Sequence, residues 1–381
     1  MKYDYIIAGA GCAGLSLLHA ILIDEKLQNK TILVVDKDQK KSNDRTWCFW
    51  EKEAGDFEQI LYHQWKKLQF LSSDIEKEFD LEKYTYKMIR GIDFYNHIFK
   101  IASQFKNVSF VNEEITHISS TKNTGKLTTK NNEYEANFIF NSTNLFNPKT
   151  TTEDTLLQHF KGWNIKVEKP VFNDKLATLM DFRIQQKQGA TFMYVLPTSP
   201  TEALIEYTLF SKEILDQNEY ISELKKYINT YLKIDSYEIV HEEFGVIPMS
   251  LANFKRSTEH AKNVINIGTA GGFTKASSGY TFQFIQKNTQ AIVTNLKADK
   301  NPLETIKFRE KVFEWYDRTL LEVLLSEKLE GKEIFSTMFK KVPADIILAF
   351  LGNESTILEE LKIMTCLPLM PFLSSGIKQL T

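Results

Sequence analysis

The sequence predicts an α/β fold with an inserted mixed sheet and a helical C-terminal region. Three observations predict it. An apolar run ending at Ala8 leads straight into Gly9-Ala10-Gly11-Cys12-Ala13-Gly14, followed by a helical pattern over 15–27. A second glycine-rich strand-to-helix junction, Gly268-Thr269-Ala270-Gly271-Gly272, stands late in the chain. Strand-like patterns fill much of the sequence between them, and 302–381 is mostly helical in pattern. A Rossmann-type dinucleotide domain interrupted by a substrate domain accounts for all three.

The first junction carries its own chemistry. Gly9 allows a tight turn, Gly11 lets the backbone approach a pyrophosphate, and Gly14 lets the helix pack close to the strand. Helix N–H groups then face phosphate charge. A second apolar strand, 31–35, ends in Asp36, at the spacing where a carboxylate accepts from ribose hydroxyls. Asp36 disfavours a 2′-phosphate, and the N-terminal position suits FAD as well as NAD.

Composition narrows the classes. The 381 residues are 43% hydrophobic with a net charge of −2. That is a foldable globular chain with no charge excess for nucleic acid. Cys12, Cys48 and Cys366 form no Cys-x-x-Cys pair, so neither a disulfide framework nor a zinc or other metal site is expected. The chain opens directly on a strand, so no signal peptide is expected, and a reducing cytoplasm fits. No apolar run is long enough to span a bilayer, which leaves open a protein lying on one.

The remaining elements follow in order. Asn43-Asp44-Arg45-Thr46-Trp47-Cys48-Phe49-Trp50-Glu51 holds too many aromatics for a free loop, so these rings plug a core or face a ligand. Arg45, just after the second strand, is placed to reach a cofactor's phosphates or its adenine side. Residues 57–85 read as two or three strands, with 67–72 one of them. Arg90 precedes a helix ending near Phe105, where it contacts a cofactor or makes a solvent salt bridge. Strands are expected at 108–111, 114–119, 126–129 and 138–142, the last returning to the parallel sheet. Val171 and 178–184 suggest further strands. Residues 191–196 and 203–210 flank proline-punctuated turn chemistry and read as a hairpin. Period-two counting puts Leu204, Glu206, Thr208 and Phe210 on one face. Glu206 is then either an edge carboxylate reaching solvent or an acid whose pKa is raised by apolar neighbours. Residues 213–232 read as a helix, 241–248 as a strand, and 281–296 as the helix after the second junction. The domains expected are 1–56, 86–149 and 255–300 for the dinucleotide, 57–85 and 150–254 for the substrate, and 301–381 as a helical tail.

Three segments make a resemblance specific. They are Asp44-Arg45-Thr46-Trp47-Cys48-Phe49-Trp50; Phe192-Met193-Tyr194-Val195-Leu196-Pro197 with Ala203-Leu204-Ile205-Glu206-Tyr207-Thr208; and Gly268-Thr269-Ala270-Gly271-Gly272 with Lys275-Ala276-Ser277-Ser278-Gly279-Tyr280. Together they resemble the bacterial lycopene β-cyclases, FAD-dependent enzymes that form carotenoid rings. The matches run in order to about Phe284, and the last hundred residues match mainly by helical character. Thr269 departs from the Asp that related flavin hydroxylases carry, and Ala276 from a proline of many relatives.

The resemblance implies a flavoprotein of the aromatic-hydroxylase-like kind that cyclises lycopene without net redox change, with FAD in its reduced form and NAD(P)H as a possible external reductant. The family's catalytic glutamate falls on Glu206. Gly9, Gly11, Gly14, Asp36, Arg45, Arg90, Gly268, Ala270, Gly271 and Gly272 would hold the cofactor, and Trp47, Trp50, Tyr194, Tyr207, Lys275 and Tyr280 would line the substrate pocket. The implied partners are acyclic carotenoids and a membrane surface, on the inner face of the cell membrane, with the apolar segment 346–373 as the expected contact. The alternatives are a flavin monooxygenase or reductase on an isoprenoid lipid, and a carotenoid-binding flavoprotein without catalysis.

Overall fold

The computed structural model describes residues 2–121, 123–258, 261–303 and 307–380. Its first sheet is built around the strand Lys2–Ala8, which runs parallel between Ile32–Asp36 and Glu133–Asn141. Val108–Asn112 continues one side and Ala261–Asn266 the other, both parallel. Gly125–Thr129 pairs antiparallel with Glu133–Asn141, and Ile115–Ser120 pairs antiparallel with Gly125–Thr129. The helix Cys12–Leu22 starts earlier and stops earlier than its pattern predicts. Gly11 is its N-cap, and every residue of it is buried, held under the helices Gly91–Ala102 and Phe282–Lys297. A helix covered on all sides needs no polar stripe, which is why its sequence is apolar nearly all round.

The aromatic segment, too rich in rings for a free loop, is a strand, Thr46–Glu51. It pairs antiparallel with Thr85–Arg90, and His63–Trp65 closes the other edge. Alternation buries Phe49 toward the first sheet and Trp50 toward the second core.

The larger sheet runs in the order Glu238–Ser250, Thr155–Lys166, Glu202–Ser211, Ala190–Ser199, Leu176–Asp181, Lys67–Ser72, Ile75–Asp80. The hairpin forms as expected, while Val171 lies exposed outside any strand. The central strand Thr155–Lys166 was not visible in the sequence. Gln158, His159, Lys161 and Asn164 break its apolar pattern, yet Gln158 and His159 are buried because strands and neighbours supply their surroundings. One face of this sheet is covered by the helix Gln217–Thr230. The other meets the C-terminal helices.

Those helices are Phe308–Leu325, Gly331–Lys341, Ala344–Leu351, Ile357–Cys366 and Leu369–Lys378. The expected surface segment 346–373 divides. Ile347, Leu348 and Leu351 are buried with Trp50, Trp65 and Phe70 in the core. The exposed apolar residues are on the last two helices, with Leu358 at 73%, Leu369 at 70% and Met370 at 71% exposure. Both helices pack on Phe308–Leu325: Arg309 and Tyr316 hold Glu360, and the Trp315 indole donates to the Gly376 carbonyl. Their outer faces therefore have no covering element among the described residues. No helix of the described residues is long and apolar enough to cross a membrane.

Candidate active site

The two sheets enclose a cavity of about 440 Å³. Gly11 and Ala13 of the first glycine turn line one end. Arg45, Trp47 and Cys48 line its side, and Tyr194, Glu206 and Tyr280 the other end. Six residues singled out by sequence therefore meet in one space, brought there by the first turn, the small sheet, the hairpin and the second glycine junction.

At the first turn Gly9 has φ +103°, a conformation closed to most L-residues. A Cβ at Gly14 would come 2.0 Å from the Gly9 carbonyl, so the helix could not pack as it does with a side chain there. A Cβ at Gly11 would meet nothing within 4 Å, so the turn faces open space in the cavity at this point. Asp36 accepts from the backbone N–H of Ala10 at 2.6 Å and of Asp38 at 2.8 Å, which orders the turn beside the second strand. Deeper in the cavity the Gln158 Oε1 and Ser278 Oγ atoms are buried without a hydrogen-bond partner. An open phosphate-sized turn and orphaned polar atoms along the same cavity fit a dinucleotide bound there. Of the second junction, Thr269 lines this cavity, while Gly271 and Gly272 face a second cavity behind it. Gly268 and Ala270 are buried in the junction itself.

Glu206 projects from Glu202–Ser211 into the cavity with Leu204, as period two requires. The Thr208 hydroxyl donates to its Oε1 at 2.6 Å. Sequence reasoning missed its neighbour. Glu243 from Glu238–Ser250 reaches the same cavity, and the Thr46 hydroxyl donates to its Oε2 at 2.8 Å. Burial, and then the Glu243 charge, pushes the Glu206 carboxyl well up; burial also raises Glu243, with the Arg45 guanidinium opposing. Both shifts favour the protonated form to a higher pH than for an exposed carboxyl. Above them Tyr280 stands 3.5 Å from the Tyr194 hydroxyl, and burial pushes its phenol up to about 12. Nothing in the sequence signals Glu243 beyond the strand expected at 241–248, because its partner lies across the sheet.

Four expected residues lie elsewhere. Tyr207 points to the opposite face, among Ile205, Leu209 and Tyr220, because successive side chains of a strand alternate. Trp50 packs edge-on behind Tyr280 at 4.7 Å and donates to the Leu348 carbonyl. It supports a cavity wall without reaching the cavity. Lys275 is buried facing the second cavity, 2.6 Å from Asp317 and hydrogen-bonded to Asn353. Arg90 is engaged by Asp93 at 2.6 Å and stacks over Tyr62.

The architecture is of a fold class seen in solved flavoproteins and halogenases. The chain is similar to a flavoprotein/dehydrogenase from Cytophaga hutchinsonii (TM-score 0.62, 15% identity, 96% of this chain and all of that one). It is also similar to a mutant of halogenase PltM in complex with FAD (TM-score 0.56, 13% identity, covering 91% and 78%). A geranylgeranyl bacteriochlorophyll reductase-like protein from Thermoplasma acidophilum aligns at TM-score 0.58 and 12% identity, over 92% and 99%. Within that class, the lycopene cyclase protein family matches residues 4–376, and the chain belongs to it. A curated lycopene beta-cyclase of Pantoea ananas is 20% identical over 98% of this chain and 97% of its own length. That of Paracoccus sp. is 25% identical over 56% of this chain, which spans little more than half (57%) of that relative.

Proposed function

We propose that the chain is an FAD-dependent lycopene cyclase that closes β-ionone rings at the ends of lycopene to give β-carotene. The observation that carries this reading is a buried carboxyl, Glu206, under two tyrosines in the cavity that also opens onto the first glycine turn. The turn of Gly9, Gly11 and Gly14 would hold the pyrophosphate, Asp36 the ribose, and Arg45 with the second junction the remaining cofactor contacts. When bound, reduced FAD supplies negative charge beside a developing cation and no net electrons.

The chain supplies the acid. Glu206 gives its proton to the terminal isoprenoid double bond, and a tertiary carbocation forms. The neighbouring double bond attacks it, and loss of a ring proton leaves the cyclic end group. Atoms and electrons balance without an oxidant. Apolar walls keep Glu206 protonated and exclude the water that would trap the cation. The faces of Tyr194, Tyr280 and Trp47 stabilise it without offering a strong nucleophile.

The substrate would come from a bilayer, and the exposed face of the last two helices suits that surface. Leu358, Leu369, Met370, Leu373, Ile377 and Leu380 are exposed there. No acidic residue follows Glu360, whereas Lys362 and Lys378 do, which fits an anionic lipid surface on the cytoplasmic side.

The test is anaerobic. Purified protein is incubated with liposomal lycopene and chemically reduced FAD, and the carotenoids are separated by chromatography. A cyclised product of unchanged mass is expected, and Glu206→Gln should lower its rate about 10²–10⁴-fold. A product changed in oxygen or hydrogen content, with NAD(P)H or oxygen consumed, would replace the cyclase reading with a monooxygenase or reductase. Bound but unaltered lycopene would leave a carotenoid-binding flavoprotein.

A further inference from the structure

The antiparallel sheet places two acids in one row. On the central strand Thr155–Lys166, Gly162 is the partner of Glu206 on one side and of Glu243 on the other. Residues in such a row share a face of the sheet. Any side chain at the middle position would stand between the two carboxyls. Glycine removes it: a Cβ at Gly162 would lie 3.1 Å from Glu243 Cγ and 3.1 Å from Leu204 Cδ1. Glu243 therefore leans over the glycine toward Glu206, and both line the cavity. Each carboxyl has one hydroxyl donor of its own, Thr208 on Glu206 and Thr46 on Glu243.

We propose that Glu206 and Glu243 form a carboxyl–carboxylate pair across Gly162 that shares one proton, with Glu243 the positioning residue that keeps Glu206 loaded as the acid. This rests on the cyclase reading for its chemistry and on the sheet register for its geometry. Two like charges this close cannot both ionise cheaply, so one proton stays on the pair. The surroundings assign it. Arg45 approaches Glu243 and favours the anion there, while the Glu243 charge disfavours ionising Glu206. The other titratable groups facing the pair are Cys48, Tyr86, Tyr194 and Tyr280, all held neutral by burial. In turnover the Glu206 O–H bond breaks as the alkene π pair forms C–H. The carboxylate pair takes one proton back when the ring C–H breaks, so the pair ends as it began. The second acid thus solves a problem that Glu206 alone would meet at neutral pH: being ionised before substrate arrives.

Infrared pH titration of the purified full-length chain tests the pair without turnover. Difference spectra against Glu206→Gln isolate the protonated carboxyl C=O band of Glu206. The band should persist to neutral pH in the unsubstituted protein. In Glu243→Gln, referenced to the double variant, its midpoint should fall by about one pH unit or more. Gly162→Ala keeps both acids but pushes Glu243 aside, and its midpoint should fall in the same direction. Glu243→Asp should recover part of the shift. An unchanged midpoint in both Glu243→Gln and Gly162→Ala overturns the pair. In the cyclisation assay the alkaline limb of the rate–pH profile should move acidward in Glu243→Gln, with activity returning at lower pH; a uniform loss at every pH would make Glu243 merely structural and overturn the proposal. A shifted infrared midpoint in a protein that makes no ring would sink the cyclase reading and leave the pair standing.

Discussion

Lys275 shows how far a residue near a cofactor loop can be from the chemistry. It is buried, and its ammonium is 2.6 Å from Asp317 and held by Asn353, while Ser277 also donates to Asp317. Removing one member leaves the other charge buried alone. Lys275→Met should cost about 3–5 kcal/mol of stability in denaturant unfolding, and Lys275→Met with Asp317→Leu should recover much of it. An equal loss in both variants would mean that the charges are not a pair. The face that Glu206 occupies was legible from alternation, since Leu204 and Thr208 share it, but it was the resemblance that pointed to a site role. The same alternation excludes Tyr207 from that cavity, a consequence the motif resemblance obscured. Glu243 and Gly162 were not legible, because their meaning lies in a strand register that local sequence does not carry.

Among elements, strands and helices bounded by glycine junctions were the most readable, because each junction needs a residue without a side chain. The central strand Thr155–Lys166 was the least readable. Buried polar residues such as His159, which contacts Ser211 and Tyr220, look like surface residues until their partners are in place. The two outermost helices carry the clearest expectation at this scale. Replacing Leu369, Met370 and Leu373 with Ser removes exposed apolar area and should reduce flotation with anionic liposomes several-fold without lowering thermal stability. Unchanged flotation would remove these helices from the membrane contact. Deleting everything after Val342 would not test the same idea, because Ile347, Leu348 and Leu351 belong to the core.

For the whole molecule, the raised carboxyls make stability depend on pH in an unusual direction. A carboxyl raised in the folded state binds its proton where the unfolded chain has lost it. The native form then holds more protons, so stability falls as pH rises from about 5 through the pair's titration. Glu206→Gln should flatten that slope and be relatively more stable than the parent on the alkaline side, measured by melting temperature against pH. A parallel pair of curves would count against burial of the charge. The overall division into a glycine-turn sheet, a second sheet and a helical tail was legible, since it follows from composition and junction chemistry. The enclosure of one cavity by segments far apart in the chain was not, because contact between them is a property of the assembled sheets.

The parallel sheet has a further consequence for how the protein comes into being. Its strand Lys2–Ala8 leaves the ribosome before the rest of that sheet, and the outer parallel strand Ala261–Asn266 follows only after the whole second sheet has been made. Asp317 and Asn353, which fasten Lys275 beside the second glycine junction, emerge later still. A nascent chain therefore carries its first glycine turn long before the later walls of the adjoining cavity, among them Glu243 and Tyr280, exist. On the proposed reading, cofactor capture would be an event of late or completed synthesis, and a chain terminated before those walls would carry the opening motif without the cavity beside it.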